Sequence, residues 1–322
     1  MTTLADVEGR IAVACGVTPV EYAVDVPGFG GRTRVLESGS GPALLLLPDA
    51  GTAASMWLPL MASLDGYRVL AVDLPGFGQA EPLDYRNVSY LRGFAVGFVH
   101  GVLKALGLDA VALAGNGVGG LWALWTAADR VEHVRAIALL GAPARTAGTG
   151  VVIPRKSAGW TLRGRRDMWT RLGHPTLPAG WTELTTAVQA QPGYDIAYRT
   201  LARATAAGGG FGATDLGRLP QPACLLLGER DPLARLDTLG TIADVISGPA
   251  ILAGATGHLP WLDNPHATAE MLRAYLGRDF GRDSGRDSGR DSRRAANAWP
   301  VPAPRTGTRS ADTGAASPRL PG

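Results

Sequence analysis

The sequence predicts an α/β protein: a doubly wound, mostly parallel sheet with a helical insertion and a disordered C-terminal tail. Three observations predict it. The runs "ALLLLP", "RVLAVDLP", "AVALAG" and "VRAIALLG" are continuously apolar, as parallel strands buried on both faces must be. Between them, over 88–106, Leu91, Phe94, Phe98, Val102 and Leu106 recur at helical spacing. That alternation stops near residue 144 and resumes near 219, so the intervening block reads as an insertion.

Taken in order, "EYAVDV" and "RTRVLES" alternate like the strands of a half-exposed hairpin around the turn "PGFGG". Residues 1–143 and 219–276 are assigned to the core. Residues 144–218 hold "GWTLRGRRDMWTRLGHPTLPAGWTELTTAVQ" and "YDIAYRTLARATAA", helices joined by Gly- and Pro-containing loops. "PACLLLGERDP" and "GPAILAGATGHLP" restore the strand rhythm, and "NPHATAEMLRAYLG" closes the body as a helix. Asn264 suits its N-cap, Pro265 its first turn and Gly277 its C-terminal end. The tail, 277–322, opens on the tetrapeptide repeat "GRDFGRDSGRDSGRDSRR". It is too polar to order itself, and its period is too short for a solenoid unit.

Composition narrows the function classes. The 322 residues are 46% hydrophobic, enough for a large core. The tail carries nine of the 31 basic and five of the 28 acidic residues, which leaves 22 against 23 in the body, a net charge of −1. A near-neutral body offers no basic face for nucleic acid. Two cysteines, Cys15 and Cys224, suggest neither a disulfide framework nor a metal site. The N-terminus lacks the long apolar stretch of a signal peptide, and "ALLLL" is far too short to cross a bilayer. The expectation is a cytoplasmic protein with a small-molecule partner and no cofactor, no metal, no nucleic acid and no membrane; the sequence leaves its oligomeric state open.

One stretch, "VALAGNGVGGLWAL" (111–124), carries two readings. Gly115, Gly117 and Gly120 have the G-x-G-x-x-G spacing of a dinucleotide-binding turn. They also look like a nucleophile elbow, G-x-S-x-G, with glycine in place of serine. The dinucleotide reading needs an acidic residue at the end of the next strand, and "VRAIALLGAPA" ends without one.

The motifs on either side favour the elbow. "YRVLAVDLPGFGQAEP", "GNGVGGLWALWTAADRVEHVRAIALLGAPA", "LLLGERDPL" and "GATGHLPWLDNPHATAEML" follow one another as elbow, acid and histidine segments do in the α/β-hydrolase superfamily, which this sequence resembles over 20–276. The resemblance places Asp231 at the triad acid, His258 at the triad base and Gly117 at the nucleophile. Asn116 is similar to the asparagine of the C–C bond hydrolase branch. Trp57 sets the register of the oxyanion loop, so Pro48 and Asp49 fall where the family commonly has His-Gly. Ala50 and Val118 then supply the oxyanion-type backbone N–H groups.

This resemblance implies a hydrolase fold without its nucleophile. Serine hydrolysis needs an oxygen beside the imidazole, and glycine has none. A carboxylate nucleophile at the elbow is absent too. His258 and Asp231 retain the means for acid–base work on a small, largely apolar molecule: cyclase, lyase or dehydratase chemistry, in a superfamily often recruited to specialised-metabolite biosynthesis. Asp49 is either a turn residue or, with a raised pKa, a proton donor. Two other readings stand beside this one, a non-catalytic protein that binds a small ligand and a hydrolase that uses a His-activated water. Asp73 is expected to be structural.

The insertion is expected to form a cap. Its Trp160, Trp169, Tyr194 and Tyr198, with Asn116 and Trp57 below, are the candidate pocket residues. Trp181 and Phe211 fit cap packing, and Arg163, Arg165 and Arg166 a solvated helix face.

Overall fold

The structure is a computed structural model, and it describes residues 3–129, 132–141, 169–208, 219–232, 248 and 250–280. Its centre is an eight-stranded sheet. The strands are β1 (Val20–Val26), β2 (Gly31–Ser38), β3 (Ala43–Leu47), β4 (Arg68–Val72), β5 (Val111–Asn116), β6 (Val134–Leu140), β7 (Ala223–Gly228) and β8 (Ala250–Ala253), in spatial order β1-β2-β4-β3-β5-β6-β7-β8. The first hairpin pairs Val20 with Glu37 through to Val26 with Gly31, and β2 lies antiparallel to β4. From β4 to β8 every pairing is parallel. All residues of β3, β5 and β7 are buried, which explains their unbroken apolar sequences.

Helices α2 (Leu58–Met61), α3 (Leu91–Ala105) and α4 (Gly117–Asp129) connect these strands. The N-terminal helix α1 (Leu4–Cys15) has no counterpart in the sequence expectations. A capping box between Thr3 and Asp6 starts it, and Gly16 in the left-handed conformation ends it. Its buried Glu8 accepts two hydrogen bonds from Arg34, at 2.7 and 2.9 Å. The Arg34 Nε–H donates to Asp73 (2.8 Å), which also accepts the N–H groups of Ala54 (2.6 Å) and Gln79 (2.8 Å). Asp73 is the hub that holds the chain after β3 against the turn after β4.

Of the insertion, the described residues include α5 (Trp181–Gln189) and α6 (Tyr194–Gly208). α6 lies on the loop after β4: Thr200 Oγ1 accepts the Tyr85 N–H (3.0 Å), and Ala197 fills the space a Gly76 side chain would need. Trp160, Arg163, Arg165, Arg166 and Phe211 fall outside the described residues.

After β8 come α7 (Pro260–Asp263) and α8 (Pro265–Phe280). Asn264 caps α8 as its sequence suggested, accepting the Ala267 N–H (3.0 Å). The end differs from expectation. α8 runs through Gly277 to Phe280, because Gly277 is not among the glycines that adopt the left-handed conformation needed to stop a helix. The rest of the expected tail, 281–322, lies outside the described residues.

Candidate active site

Four chain segments leave the sheet at the carboxyl ends of parallel strands and meet. Asp49 follows β3, Gly117 follows β5, Asp231 follows β7 and His258 follows β8. This is the edge at which open α/β sheets present their reactive groups.

The strand-to-helix turn is tight. Gly117 has φ +51°, in the left-handed region where a side chain is strained. A Cβ on Gly115 would fall 2.5 Å from the backbone of Gly119 and Gly120, and one on Gly119 2.3 Å from the Leu47 carbonyl oxygen. Gly115 and Gly119 are thus required by the close packing between β5, α4 and the end of β3.

Asp231 is buried, and its Oδ2 lies 2.8 Å from His258 Nδ1. On the other side of the ring, Nε2 lies 3.4 Å from Asp49 Oδ2. The other Asp49 oxygen, Oδ1, accepts hydrogen bonds from the N–H groups of Ala50 (2.8 Å) and Val118 (2.7 Å). These are the two N–H groups expected to serve as oxyanion donors, and here both donate to the protein's own carboxylate. A Cβ on Gly117 would fall 2.1 Å from both Cγ and Oδ1 of Asp49. Asp49 therefore stands where an elbow side chain would stand. Its negative charge also lies at the N-terminus of α4, where the helix dipole favours it.

The imidazole is thereby held between two carboxylates. Burial opposes its charged form. The charge and hydrogen bond of Asp231, and then those of Asp49, outweigh burial and raise the His258 pKa to about 10. At neutral pH the ring is therefore held in its charged form. The Asp49 side chain is 25% exposed, against 3% for His258 and 0% for Asp231, so it is the member a ligand meets first.

Residues 44–271 match the alpha/beta hydrolase family. The chain belongs to that family. The 2-hydroxymuconate semialdehyde hydrolase of a Pseudomonas strain is 28% identical over 261 residues, which is 77% of this chain and 90% of the relative. Among solved structures, a bacterial membrane phospholipase A matches with TM-score 0.71 at 25% identity, over 86% of this chain and 91% of its own. The 2-hydroxy-6-oxo-6-phenylhexa-2,4-dienoate hydrolase of Rhodococcus shares the fold, with TM-score 0.68 at 20% identity, over 81% and 99%.

Several expected pocket residues of this alpha/beta hydrolase are placed elsewhere. Asn116 is buried, and its Nδ2 donates to the carbonyls of Leu140 (2.7 Å) and His258 (3.2 Å); it holds the histidine loop instead of facing a ligand. Trp57 is fully buried and stacks on Trp261, with centroids 4.0 Å apart. Trp261 Nε1–H donates to Met56 O (2.8 Å), so this pair ties the segment after Asp49 to the segment after His258. Trp169 is buried within the cap, where its Nε1–H donates to Thr185 (3.1 Å). Asp49 Oδ1 is engaged as an acceptor by two N–H groups, which leaves Oδ2 as the oxygen that faces His258. Tyr194 and Tyr198 are brought to the site. They stack at 5.9 Å on one another and close over Gly51, whose carbonyl lies 3.4 Å from the Tyr194 hydroxyl.

Sequence reasoning missed His174. This buried cap residue accepts the Leu259 N–H on Nε2 (3.1 Å), and its Nδ1 lies 3.0 Å from Asp263 Oδ2. Asp263 in turn accepts the Gly257 N–H (2.7 Å), and Leu172 O accepts the His258 N–H (2.9 Å). Three consecutive N–H groups of the histidine loop are pinned, two of them by the cap. Among the described residues, no group of three or more His, Cys, Asp or Glu is disposed to hold a metal, and no helix is long and apolar enough to cross a membrane.

Proposed function

We propose that this family member has left serine ester hydrolysis and is an enzyme of non-hydrolytic acid–base chemistry, of the cyclase, lyase or dehydratase kind, acting on a small, largely apolar metabolite. One observation carries the reading: Asp49 Oδ1 occupies the oxyanion hole while Oδ2 faces His258. An acyl substrate has neither a nucleophile to meet nor a hole for its carbonyl oxygen.

In this reading the proton roles run in reverse of the expectation from sequence. His258, held as imidazolium, is the acid. Asp49 is the base, with Oδ1 anchored by two N–H groups and Oδ2, which faces His258, taking the proton. Asp231 fixes the ring and supports its charge. A substrate that loses a proton to Asp49 and gains one from His258 at a leaving or accepting oxygen completes an elimination, a ring closure or an isomerisation.

The β-hydroxy ketone formed from benzaldehyde and acetone is a suitable probe, since it carries an acidic C–H beside a leaving hydroxyl. In deuterium oxide the parent should exchange the α-hydrogen or expel water, and Asp49→Asn and His258→Ala should lose that activity. Brisk hydrolysis of nitrophenyl butyrate by the parent, indifferent to Asp49→Asn, would contradict the reading. Tight binding of the ketone with neither exchange nor product would make the protein a binder.

A further inference from the structure

We propose that Glu229 and Arg230 are positioning residues, which hold Ala255 in a strained conformation and thereby set His258 against Asp231. This role deepens the acid–base reading, and its activity measurement rests on that reading. Its titration measurement rests on the geometry alone.

Among the described residues, Ala255 is the only one other than glycine with a left-handed backbone, at φ +57°. There the Cβ crowds the following carbonyl oxygen. Glycine adopts the conformation freely, and asparagine or aspartate can offset it with a local hydrogen bond. Alanine has no polar side-chain atom with which to do so. Packing does not force it either, since Ala255 is exposed. Strain of this kind persists only where neighbouring groups over-determine it.

The neighbours are Glu229 and Arg230. The Ala255 N–H donates to Glu229 Oε2 (3.2 Å), and the Arg230 Nη2–H donates to the Ala255 carbonyl. These two groups belong to the rigid peptide planes on either side of the Ala255 Cα, so the pair fixes φ and ψ together. The backbone adds to the clamp: the Glu229 N–H donates to Ala253 O (3.1 Å), and the Arg230 N–H to Thr256 O (2.9 Å). Strand pairing between β7 and β8 ends at Gly228 and Ala253. The clamp carries it past the strand ends, to Asp231 on one side and toward His258 on the other.

The kink at Ala255 lays Thr256 and Gly257 across the end of β7, where a Cβ on Gly228 would fall 2.6 and 2.1 Å from their carbonyl oxygens. His258 follows, with Nδ1 2.8 Å from Asp231 Oδ2. Asp231 is the residue after Arg230, and His258 is the third after Ala255. An ordinary backbone at Ala255 would therefore carry the imidazole away from its carboxylate. The ring itself faces Asp231 and Asp49, whereas the Arg230 guanidinium faces the Ala255 carbonyl and, at 3.7 Å, Asp263.

NMR titration of the His258 ring in Arg230→Met tests this, because charge and position act in opposite directions. Loss of a nearby positive charge alone would raise the titration midpoint. Loss of the clamp lets Ala255 relax and parts the ring from Asp231, which should lower the midpoint by about one unit or more. Adding Ala255→Gly to Arg230→Met should recover most of the parent value, since glycine takes the left-handed turn without help. A midpoint that rises or stays in Arg230→Met would overturn the proposal, as would a fall that Ala255→Gly does not reverse. Glu229→Ala should lower the midpoint further than Glu229→Gln, which loses the same charge but keeps an acceptor; equal effects would overturn the part given to Glu229. Ala255→Gly alone checks the strain with the clamp intact. Its urea midpoint should match or exceed the parent's, and a lower midpoint, the ordinary result of added chain freedom, would overturn the strain. Deuterium exchange into the hydroxy ketone should slow in Arg230→Met and recover with Ala255→Gly. An absence of exchange in the parent would remove the acid–base reading and leave the titration to decide the positioning.

Discussion

Asp49 and Gly117 share one volume: the carboxylate of one lies 2.1 Å from where the Cβ of the other would be. They are 68 positions apart in sequence, and each makes sense through the other. Without a side chain at 117 the hole is open to Asp49. With Asp49 in the hole there is no room for an elbow side chain. Gly117→Ala should therefore destabilise by about 1–3 kcal/mol, from the strained φ and the clash together. In an Asp49→Gly background the clash is gone and the loss should shrink to the strain alone. A urea double-mutant cycle measures the coupling, and additive effects would refute it.

The charge on His258 links stability to pH. Its folded pKa, about 10, lies above its ordinary value of 6.5. The stabilisation is fully present below about pH 6.5 and is lost as pH rises through about 10. Melting temperature should fall across that window. Asp49→Asn removes one of the two supporting charges, so its fall should be smaller and should be complete at lower pH than in the parent. NMR titration of the His258 ring reads the same shift directly, and coincident titrations of parent and variant would count against the ion pair.

His174 should govern the loop that carries His258. His174→Phe leaves the buried Leu259 N–H without an acceptor, a loss of about 1–3 kcal/mol. His174→Gln offers an amide oxygen in place of Nε2. Hydrogen exchange at Leu259 should quicken in the first variant and recover toward the parent in the second. A shift of the His258 titration in His174→Phe would show that the cap positions the ring, and not merely the backbone.

Arg34 neutralises two buried carboxylates, Glu8 and Asp73. Arg34→Met strands both and should cost about 3–5 kcal/mol, measured by chemical denaturation. Because Asp73 also holds Ala54, the same variant should loosen the segment that follows Asp49.

The sheet was legible because buried parallel strands must be apolar throughout, and "ALLLL", "VALAGN" and "ACLLLG" can be little else. The Asp231–His258 couple was legible because the order of motifs is tied to the order of strands. Asp49 stands in the sequence as a departure from the family's pattern, but its position is not readable there, since it depends on two N–H groups 68 positions apart converging on one oxygen. Trp57, Asn116 and Trp169 were assigned to the pocket because aromatic and amide side chains suit ligands. Burial and partners decide such cases, and Trp57 found Trp261 while Asn116 found two carbonyls. His174 gave no signal: a lone histidine in "RLGHPTLP" has no periodicity or motif to mark it. α1 does carry a signal in the sequence, since Thr3 and Asp6 are spaced as a capping box and Leu4, Val7 and Ile11 stand at helical spacing, while the burial of Glu8 depends on Arg34 in the first hairpin.

Restoring the missing serine in two backgrounds is the most direct test of the self-filled oxyanion hole. Gly117→Ser alone should hydrolyse nitrophenyl butyrate no faster than the parent, because Asp49 blocks both the side chain and the hole. Gly117→Ser with Asp49→Gly should gain on the order of 10²-fold or more, since nucleophile, hole, His258 and Asp231 are then all in place. A full gain from Gly117→Ser alone would show that Asp49 does not occupy the hole, and would contradict the site described here.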